Sequence, residues 1–335
     1  MRDLLPDLKE WINANEAFAI ATVVSTWGSA PRSAGSYMAI RHDGVVLGSV
    51  SGGCVEGAVI SAATEIIAQQ SSELLHFGVA DETAWDVGLA CGGKIDVFLQ
   101  SGRNEALITL IEALEEDNQA VHVFDIANGS QAIVGANGRL FSEKHFPKMA
   151  WEKASTQLDR ATSSAQIIEI SSNQSLFYNP LTPTPEIVII GGGQITQALV
   201  EMAITMHFVP IVIDPRRNFI SENRFPDQTD LIHAFPKSAF EEHPLHSNSA
   251  VASLSHDPKI DDPALTIALS SDAFYVGALG SRKTHQKRLK RLEQAGVSQA
   301  DLARIQSPIG IEIGAANPEE IALAVISQIV QVYRA

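Results

Sequence analysis

The stretch Ile187-Val-Ile-Ile-Gly-Gly-Gly-Gln-Ile-Thr196 decides the fold of the second half of the chain. Its four leading apolar residues predict a strand that is buried on both faces. The three glycines then predict a tight turn, and the sequence from Gln194 to about Met206 is typical of a helix. A strand, a glycine-rich turn and a helix in this order open a unit of parallel strands joined by a helix.

Later apolar runs predict the rest of this sheet. Candidate strands lie at 211–214, 250–254 and 274–277, and helical segments separate them. The last helix follows Asn317, because a capping residue, a proline and two acids in succession favour a helix start. Strands that alternate with helices form parallel sheets. We therefore predict an α/β fold whose second domain, residues 186–335, is a Rossmann-like doubly wound parallel sheet.

The first half predicts a separate α/β domain with a mixed sheet, over residues 1–179. A hairpin is expected within 37–50, because Asp43-Gly44 supplies the positive φ that tight hairpins need. Apolar residues spaced by three and four between 55 and 66 predict a helix. Three prolines within residues 180–185 predict an extended linker between the two domains.

The composition excludes several classes of protein. The length of 335 residues fits two domains, and 45% hydrophobic against 19% charged residues excludes a disordered chain. The net charge of −15 repels nucleic acid and anionic membranes from the chain as a whole, although a local basic patch can still bind a small anion. We find no signal peptide and no uncharged apolar run of about 18 residues, so we expect a cytoplasmic protein. Two cysteines exclude a disulfide framework.

The glycine-rich turn is a candidate phosphate site. Gly191 and Gly193 let a ligand approach the backbone, and the helix that follows offers N–H groups with a partial positive charge. Thr196 replaces the third small residue of the usual pattern. Asp214 closes the next strand and suits a ribose diol, whereas Arg216 suits a phosphate. A doubly wound domain that binds nothing at this turn is the alternative.

Both cysteines lie in glycine-rich turns rather than among large apolar residues. Cys54 follows Gly52-Gly53 at the start of a helix, where the helix dipole stabilises a thiolate. Cys91 precedes Gly92-Gly93. A thiolate suits molybdenum, copper or a carried sulfur atom. A structural role and a functional role are both compatible with each cysteine.

Two further segments are candidate anion sites. The loop from Gly28 to Arg32 offers several N–H groups and one guanidinium. Near the C-terminus, Ser281 follows a predicted strand and opens a helix with six basic residues between 282 and 291. A run of charge is usually a solvated helix face. In an acidic chain, however, this turn is also a candidate for a second anion site.

The sequence lacks the patterns of several known catalytic centres. It has no Ser-His-Asp order, zinc pattern or P-loop, and no clear acid–base pair for hydride transfer. His256, Asp257 and Glu312 lie in predicted turns and suit either a ligand contact or a helix cap. An NAD(P)-dependent oxidoreductase that uses the turn at Gly191 with Asp214 remains an alternative.

Taken together, these segments resemble the XdhC/CoxI family of bacterial maturation factors for molybdenum hydroxylases such as xanthine dehydrogenase. In the first half the matching stretches are Gly28-Ser-Ala-Pro-Arg32, Ser51-Gly-Gly-Cys-Val-Glu-Gly57 and Gly88-Leu-Ala-Cys-Gly-Gly93. In the second half they are Gly191-Gly-Gly-Gln-Ile-Thr196, Asp214-Pro-Arg-Arg217, Arg224-Phe-Pro226, Ser255-His-Asp257, Tyr275-Val-Gly-Ala-Leu-Gly-Ser-Arg282 and Pro308-Ile-Gly-Ile-Glu-Ile-Gly314. Gln194 departs from the family, which often has histidine there, and Pro258 stands where many members repeat a histidine.

The resemblance implies a chaperone rather than a catalyst. Such a factor binds a molybdopterin-type molybdenum cofactor, shields it, assists its sulfuration by a cysteine desulfurase and inserts it into an apo molybdenum hydroxylase. A scaffold that joins sulfur donor and molybdoenzyme without a small-molecule ligand is a third reading, and a homodimer is a further expected assembly.

The motifs and the family resemblance together predict a set of cofactor-binding residues. They are Gly28, Ser29, Arg32, Gly52, Gly53, Cys54, Glu56, Cys91, Gly92, Gly93, Gly191, Gly193, Gln194, Asp214, Arg216, His256, Asp257, Gly280, Ser281, Arg282 and Glu312. Within this set, Cys54 and Cys91 are the expected contacts to molybdenum or to sulfur.

Overall fold

The computed structural model describes residues 1–28, 32–78, 93–116, 118–143, 147–158, 164–171 and 174–334. The chain folds into two compact units, 1–183 and 184–335. The division therefore lies between Pro183 and Thr184, inside the segment whose prolines predict an extended conformation. Each unit has apolar clusters of its own.

The first unit is built on two five-stranded sheets. Its strands are β1 (Phe18–Trp27), β2 (Tyr37–Arg41), β3 (Val46–Gly48), β4 (Ser72–Phe77), β5 (Lys94–Ser101), β6 (Ala120–Asp125), β7 (Gln131–Gly135), β8 (Gly138–Ser142), β9 (Gln166–Ser171) and β10 (Gln174–Leu181). Its helices are α1 (Leu5–Asn13), α2 (Glu56–Gln69), α3 (Glu105–Glu115) and α4 (Lys148–Leu158). The strand orders are β3-β2-β1-β5-β4 and β8-β7-β6-β10-β9.

The strand pairs described in these two sheets are antiparallel, which differs from the mixed sheet that the sequence led us to expect. Short connections explain part of the difference, because parallel neighbours need a crossover of a dozen residues or more. β2 and β3 are joined by a tight hairpin in which Gly44 has φ +87°, as the Asp-Gly step predicts.

Strand β10 extends into the proline-rich segment. Pro180 pairs with Val121 and Leu181 pairs with Ala120 on β6. The pairing of β10 with β9 reaches only as far as Tyr178, so Pro180 interrupts no second ladder. The first two residues of the expected linker are thus strand residues of the first unit.

A chain of buried hydrogen bonds joins the two sheets of the first unit. The Asn179 amide donates to the Tyr37 hydroxyl at 2.9 Å, and that hydroxyl lies 3.2 Å from His122 Nδ1. His122 Nε2 lies 2.9 Å from the Gln131 side-chain oxygen. When the Tyr37 hydroxyl donates to Nδ1 and the Nε2–H group donates to Gln131, one ring nitrogen of His122 accepts and the other donates. This arrangement requires a neutral imidazole.

The second unit contains one six-stranded parallel sheet. Its strands are β11 (Glu186–Ile190), β12 (Val209–Ile213), β13 (Asp230–Ile232), β14 (Ser249–Ser253), β15 (Tyr275–Ala278) and β16 (Ile305–Gln306). Its helices are α5 (Gln194–Thr205), α6 (Pro236–Glu242), α7 (Pro258–Ser270), α8 (Arg282–Gln294), α9 (Gln299–Leu302) and α10 (Pro318–Tyr333). Among the described residues, no helix has both the length and the apolar character needed to cross a membrane.

The order of the second sheet, β13-β12-β11-β14-β15-β16, is that of a doubly wound Rossmann fold. Both faces of the sheet are covered, since Ile187 and Ile189 pack in one apolar cluster and Val188 and Ile190 in another. Such double coverage is why β11 is apolar throughout rather than alternating. The predicted fold class, α/β with a Rossmann-like second domain, is confirmed.

The buried imidazole of His122 should make the stability of the first unit depend on pH. Burial lowers the pKa of His122 to about 4, although the bond to Gln131 opposes this, whereas an unfolded histidine titrates near 6.5. Between these values the unfolded chain binds the extra proton. The free energy of unfolding should therefore fall by about 3 kcal/mol as the pH drops from 6.5 to 4.

Urea denaturation at several pH values between 7 and 4 tests this prediction. His122→Gln should flatten the pH dependence of the first unit, whereas His207→Asn, at an exposed position, should keep it. Equal pH dependence in wild type and His122→Gln would contradict the argument.

Candidate functional site

The second sheet gathers most of the predicted ligand contacts at one edge. Carboxyl ends of parallel strands meet at the same edge, and five segments leave it there. They are Gly191–Gly193 after β11, Asp214–Arg216 after β12, Ser255–Asp257 after β14, Gly280–Arg282 after β15 and the loop with Glu312 after β16. The turn after β11 lies where the strand order reverses, which is the usual ligand position in such sheets.

The three glycines of that turn have different environments. A Cβ on Gly191 would lie 2.7 Å from the Cα of Ser255, and a Cβ on Gly192 would collide with the backbone oxygen of Phe219. A Cβ on Gly193 would meet nothing within 4 Å. The first two glycines therefore allow close packing of neighbouring loops, while Gly193 borders open space at the start of α5.

Asp214 is the centre of this turn. Its fully buried carboxylate accepts hydrogen bonds from the N–H of Gly192 at 2.9 Å and from the backbone N–H of Arg216 at 2.9 Å. The Arg216 guanidinium adds two more, at 2.9 and 2.7 Å. Burial raises the pKa of Asp214, but these donors together outweigh burial, so the net shift is downward. Neither carboxylate oxygen is free for a ribose diol.

Two arginines pack against the Phe219 ring beside this turn. The Arg216 guanidinium lies 4.1 Å from the ring centre of Phe219 and that of Arg224 lies 5.6 Å from it. Arg224 Nη2 donates to the carbonyl of Gly192 at 2.9 Å, and its Nε is buried with no hydrogen-bond partner. Arg224 is not among the cofactor-binding residues predicted from the sequence, although it lies in a stretch that carries the family resemblance.

Several other predicted contacts serve as helix caps. The Asp257 carboxylate accepts from the N–H of Lys259 at 2.9 Å at the start of α7, and the Ser281 hydroxyl accepts from the N–H of Thr284 at 3.2 Å at the start of α8. Asp257 nevertheless lies close enough to Arg216 for its charge to help raise the pKa of that guanidinium, after the larger contribution of Asp214.

The remaining candidates at this edge are exposed. Gln194, His256, Arg282 and Glu312 are all exposed side chains, and Gly280 has φ +139°. His256 has φ +63°, an uncommon conformation for a residue other than glycine. Glu312 accepts a long bond, 3.3 Å, from the N–H of Gly314.

In the first unit, the turn before Cys54 is held by the carboxylate of Glu56. This carboxylate accepts from the N–H groups of Ser51, Gly52 and Gly53 at 2.8, 3.0 and 2.9 Å. The hydroxyl of Ser49 donates at 2.7 Å, and the hydroxyl of Ser51 donates as well. Burial raises the pKa of Glu56, but the donors outweigh this and lower it to about 2.

The N–H groups of this turn are therefore not available to bind an anion, and its glycines position Cys54 instead. Gly52 and Gly53 have φ values of +77° and +118°, which side chains other than hydrogen rarely adopt. The Ser51 hydroxyl accepts from the N–H of Cys54 and of Val55, both at 2.9 Å. The backbone groups that the sequence offers to a phosphate are thus satisfied within the chain, and Cys54 is half-buried.

Part of the predicted site lies outside the described residues, namely Ser29, Cys91 and Gly92. Gly28, with φ +79°, and Arg32 are exposed after β1, while Gly93 is buried just before β5. Within the described ranges, no group of three or more His, Cys, Asp or Glu side chains is arranged to hold a metal ion.

Loss of the Glu56 carboxylate should loosen the Cys54 turn. In Glu56→Gln an N–H₂ group replaces one of the two oxygens that accept hydrogen bonds, so donors of the turn lose their acceptor. We therefore expect a loss of about 2 kcal/mol in the free energy of unfolding of the first unit. The exposed Glu65 on the same helix offers a matched control, since Glu65→Gln should change stability by less than about 0.5 kcal/mol.

The pH dependence of that difference follows from the lowered pKa. The carboxylate stabilises the fold above the unfolded value near 4.5, and this contribution is lost as the pH falls towards 2. Urea denaturation at pH 7 and pH 3 should therefore give a smaller difference between wild type and Glu56→Gln at the lower pH. A constant difference would contradict this role for Glu56.

Comparison with known proteins identifies a family model in each unit. Residues 11–78 match the XdhC and CoxI family, and residues 187–329 match the XdhC Rossmann domain. The chain is 28% identical over 322 residues to a probable xanthine dehydrogenase subunit from Bacillus subtilis, covering 94% of this chain and 93% of that protein. It is 26% identical over 333 residues to the molybdenum cofactor insertion chaperone PaoD of Escherichia coli, covering 99% and 88%.

A solved structure shares the fold. The crystal structure of a xanthine dehydrogenase from Bacillus halodurans superposes with a TM-score of 0.78 at 23% identity, covering 98% of this chain and 95% of that one. The stretches quoted from the sequence fall largely inside the two matched regions. By these matches the chain belongs to the XdhC and CoxI family.

Proposed function

We propose that this protein is a molybdenum cofactor chaperone. It binds a molybdopterin-type cofactor as cargo, shields it and inserts it into an apo molybdenum hydroxylase of the xanthine dehydrogenase type. A cysteine desulfurase supplies the terminal sulfur while the cargo is held, and the cytoplasm is the site of action. Family membership and the relative named for molybdenum cofactor insertion support this class of function.

The open turn at Gly193 is the observation that carries the proposal. The cargo has a phosphate, and the start of a twelve-residue helix with an uncrowded glycine is a suitable seat for one. Arg224 adds a guanidinium beside the turn, with a buried Nε that has no hydrogen-bond partner. The positive charge, the accessible backbone and the position in the sheet therefore all favour a phosphate site at this turn.

Hydrogen-bond acceptors near the turn suit the pterin part of the cargo. A pterin edge carries N–H and amino groups, which need carboxylate or carbonyl partners. Asp257 uses Oδ1 to cap α7, and its Oδ2 accepts no hydrogen bond from a described residue. We assign Asp257 to this contact. As a separate proposal, Cys54 of the first unit contacts the molybdenum or its sulfur during transfer.

The same geometry weighs against an NAD(P)-dependent oxidoreductase. Such enzymes use an acid at the position of Asp214 to bind a ribose. Here Arg216 occupies both oxygens of Asp214, so a ribose would have to break a buried, charge-assisted pair. NAD and NADP should therefore bind weakly or not at all.

Added bulk at Gly193 should block cargo binding without unfolding the chain. Gly193 has φ −74°, which any residue adopts, so Gly193→Val is compatible with the fold. We expect at least about ten-fold weaker binding of freshly released molybdenum cofactor under anaerobic conditions, since a Cβ group would occupy the space of the phosphate. Ala295→Val, at an exposed position at the end of α8, adds bulk elsewhere and should bind normally.

NAD and NADP are measured beside the cofactor in the same titration. Binding of NAD(P) alone, lost in Gly193→Val, would replace the chaperone proposal with an oxidoreductase. Unchanged cofactor binding in Gly193→Val would show that this turn does not bind the phosphate of the cargo, and it would contradict this part of the proposal.

Removal of the thiol at Cys54 should separate binding from delivery. Cys54→Ala keeps the Ser51 and Glu56 hydrogen bonds of the turn, so the free energy of unfolding should change by less than about 1 kcal/mol. Activation of a purified apo molybdenum hydroxylase by the cofactor-loaded chaperone should fall several-fold. Wild-type activation by Cys54→Ala would exclude Cys54 from the transfer.

A further inference from the structure

Helix α8 carries a surplus of positive charge that the proposed cofactor site does not use. Six of the 24 basic residues of the chain lie between 282 and 291, although the net charge of the protein is −15. Two of the six hold the helix in place. Arg291 pairs with Asp262 at 2.5 and 3.0 Å, and Arg288, only 3% exposed, donates to the carbonyl of Leu279 at 2.8 Å.

The other four basic side chains of α8 are exposed and form no ion pair with a described residue. They are Arg282, Lys283, Lys287 and Lys290. The three lysines follow a spacing of four and three, so they share one face and span about 10 Å along the helix axis. Like charges at this spacing weaken a helix slightly, so the row is not explained by the stability of the helix itself.

A cavity of about 780 Å³ lies along this row. Its lining combines the three lysines with Leu289 of α8, Leu302 of α9 and Ile305 of β16, of which the last two are mostly buried. One carboxylate, Glu293, also lines it and accepts a hydrogen bond from the Gln299 amide at 2.7 Å. His285, which also lines the cavity, has a buried Nδ1 with no hydrogen-bond partner. We call this surface the α8 groove.

We propose that the α8 groove binds an acidic amphipathic helix of a partner protein. The apolar floor favours leucine-like side chains, and the lysine row favours carboxylates at matching positions of a second helix. A single small anion would need convergent donors, whereas these ammonium groups are spread along the helix. The strongly acidic chain disfavours nucleic acid as the occupant.

This proposal goes beyond cargo binding, since the groove residues are separate from Gly193, Arg224 and Cys54. It gives the protein a charge-selective surface for another protein. Cofactor binding is measured independently, so failure of one proposal leaves the other standing.

Fluorescence anisotropy with a designed peptide tests the groove. The probe is a labelled 14-residue helical peptide with glutamates at i, i+4 and i+7 on one face and leucines beside them. The full-length chain should bind it, and Lys283→Gln/Lys287→Gln/Lys290→Gln should weaken binding about ten-fold. The control Lys148→Gln/Lys237→Gln/Lys259→Gln removes three lysines elsewhere and should bind the peptide normally.

Three comparisons decide between occupants. A peptide of the same composition in scrambled order should bind at least five-fold more weakly, and equal binding would overturn the proposal of a shaped groove. Pyrophosphate that displaces the peptide at micromolar concentration would overturn it in favour of a small-anion site. Sedimentation that shows a dimer lost only in the triple groove variant would overturn it in favour of a second copy of this chain.

Discussion

The carboxylate of Asp214 fixes the turn on which the candidate site of the second unit depends. One buried group accepts the N–H of Gly192 and three donors of Arg216, so the loops after β11 and β12 are joined at a single point. Arg216 then contacts Phe219, whose backbone approaches Gly192 too closely for any side chain there. These contacts reinforce one another and fix the conformation of the turn.

In the first unit, the carboxylate of Glu56 fixes a glycine-rich turn in a similar way. There, too, a carboxylate with a lowered pKa accepts backbone N–H groups of a glycine turn, and the residue that follows is left accessible. Backbone N–H groups that already bind a carboxylate of the chain cannot also bind a phosphate. The accessible part of each turn is therefore the residue that follows the bound N–H groups. This residue is Cys54 in the first unit and Gly193, which borders open space, in the second.

The sequence predicted elements better than it predicted roles. The apolar run at 187–190 and the glycines after it identified the Rossmann-like unit, because the period of a buried strand and the chemistry of a glycine turn are local properties. The antiparallel pairing in the first unit and the partners of Asp214 depend on contacts between distant residues. Nothing local distinguishes an aspartate that binds ribose from one that holds its neighbour Arg216.

Three buried or paired arginines of the second unit differ in role from the lysines of α8. Arg216, Arg288 and Arg291 have planar guanidinium groups that reach carboxylates and carbonyls inside the fold, and each is used there. The lysines of α8 are flexible point charges and lie outside, against an apolar floor. A lysine row on an otherwise acidic chain is complementary in charge to an acidic helix, which is why we propose such a helix as the occupant of the α8 groove.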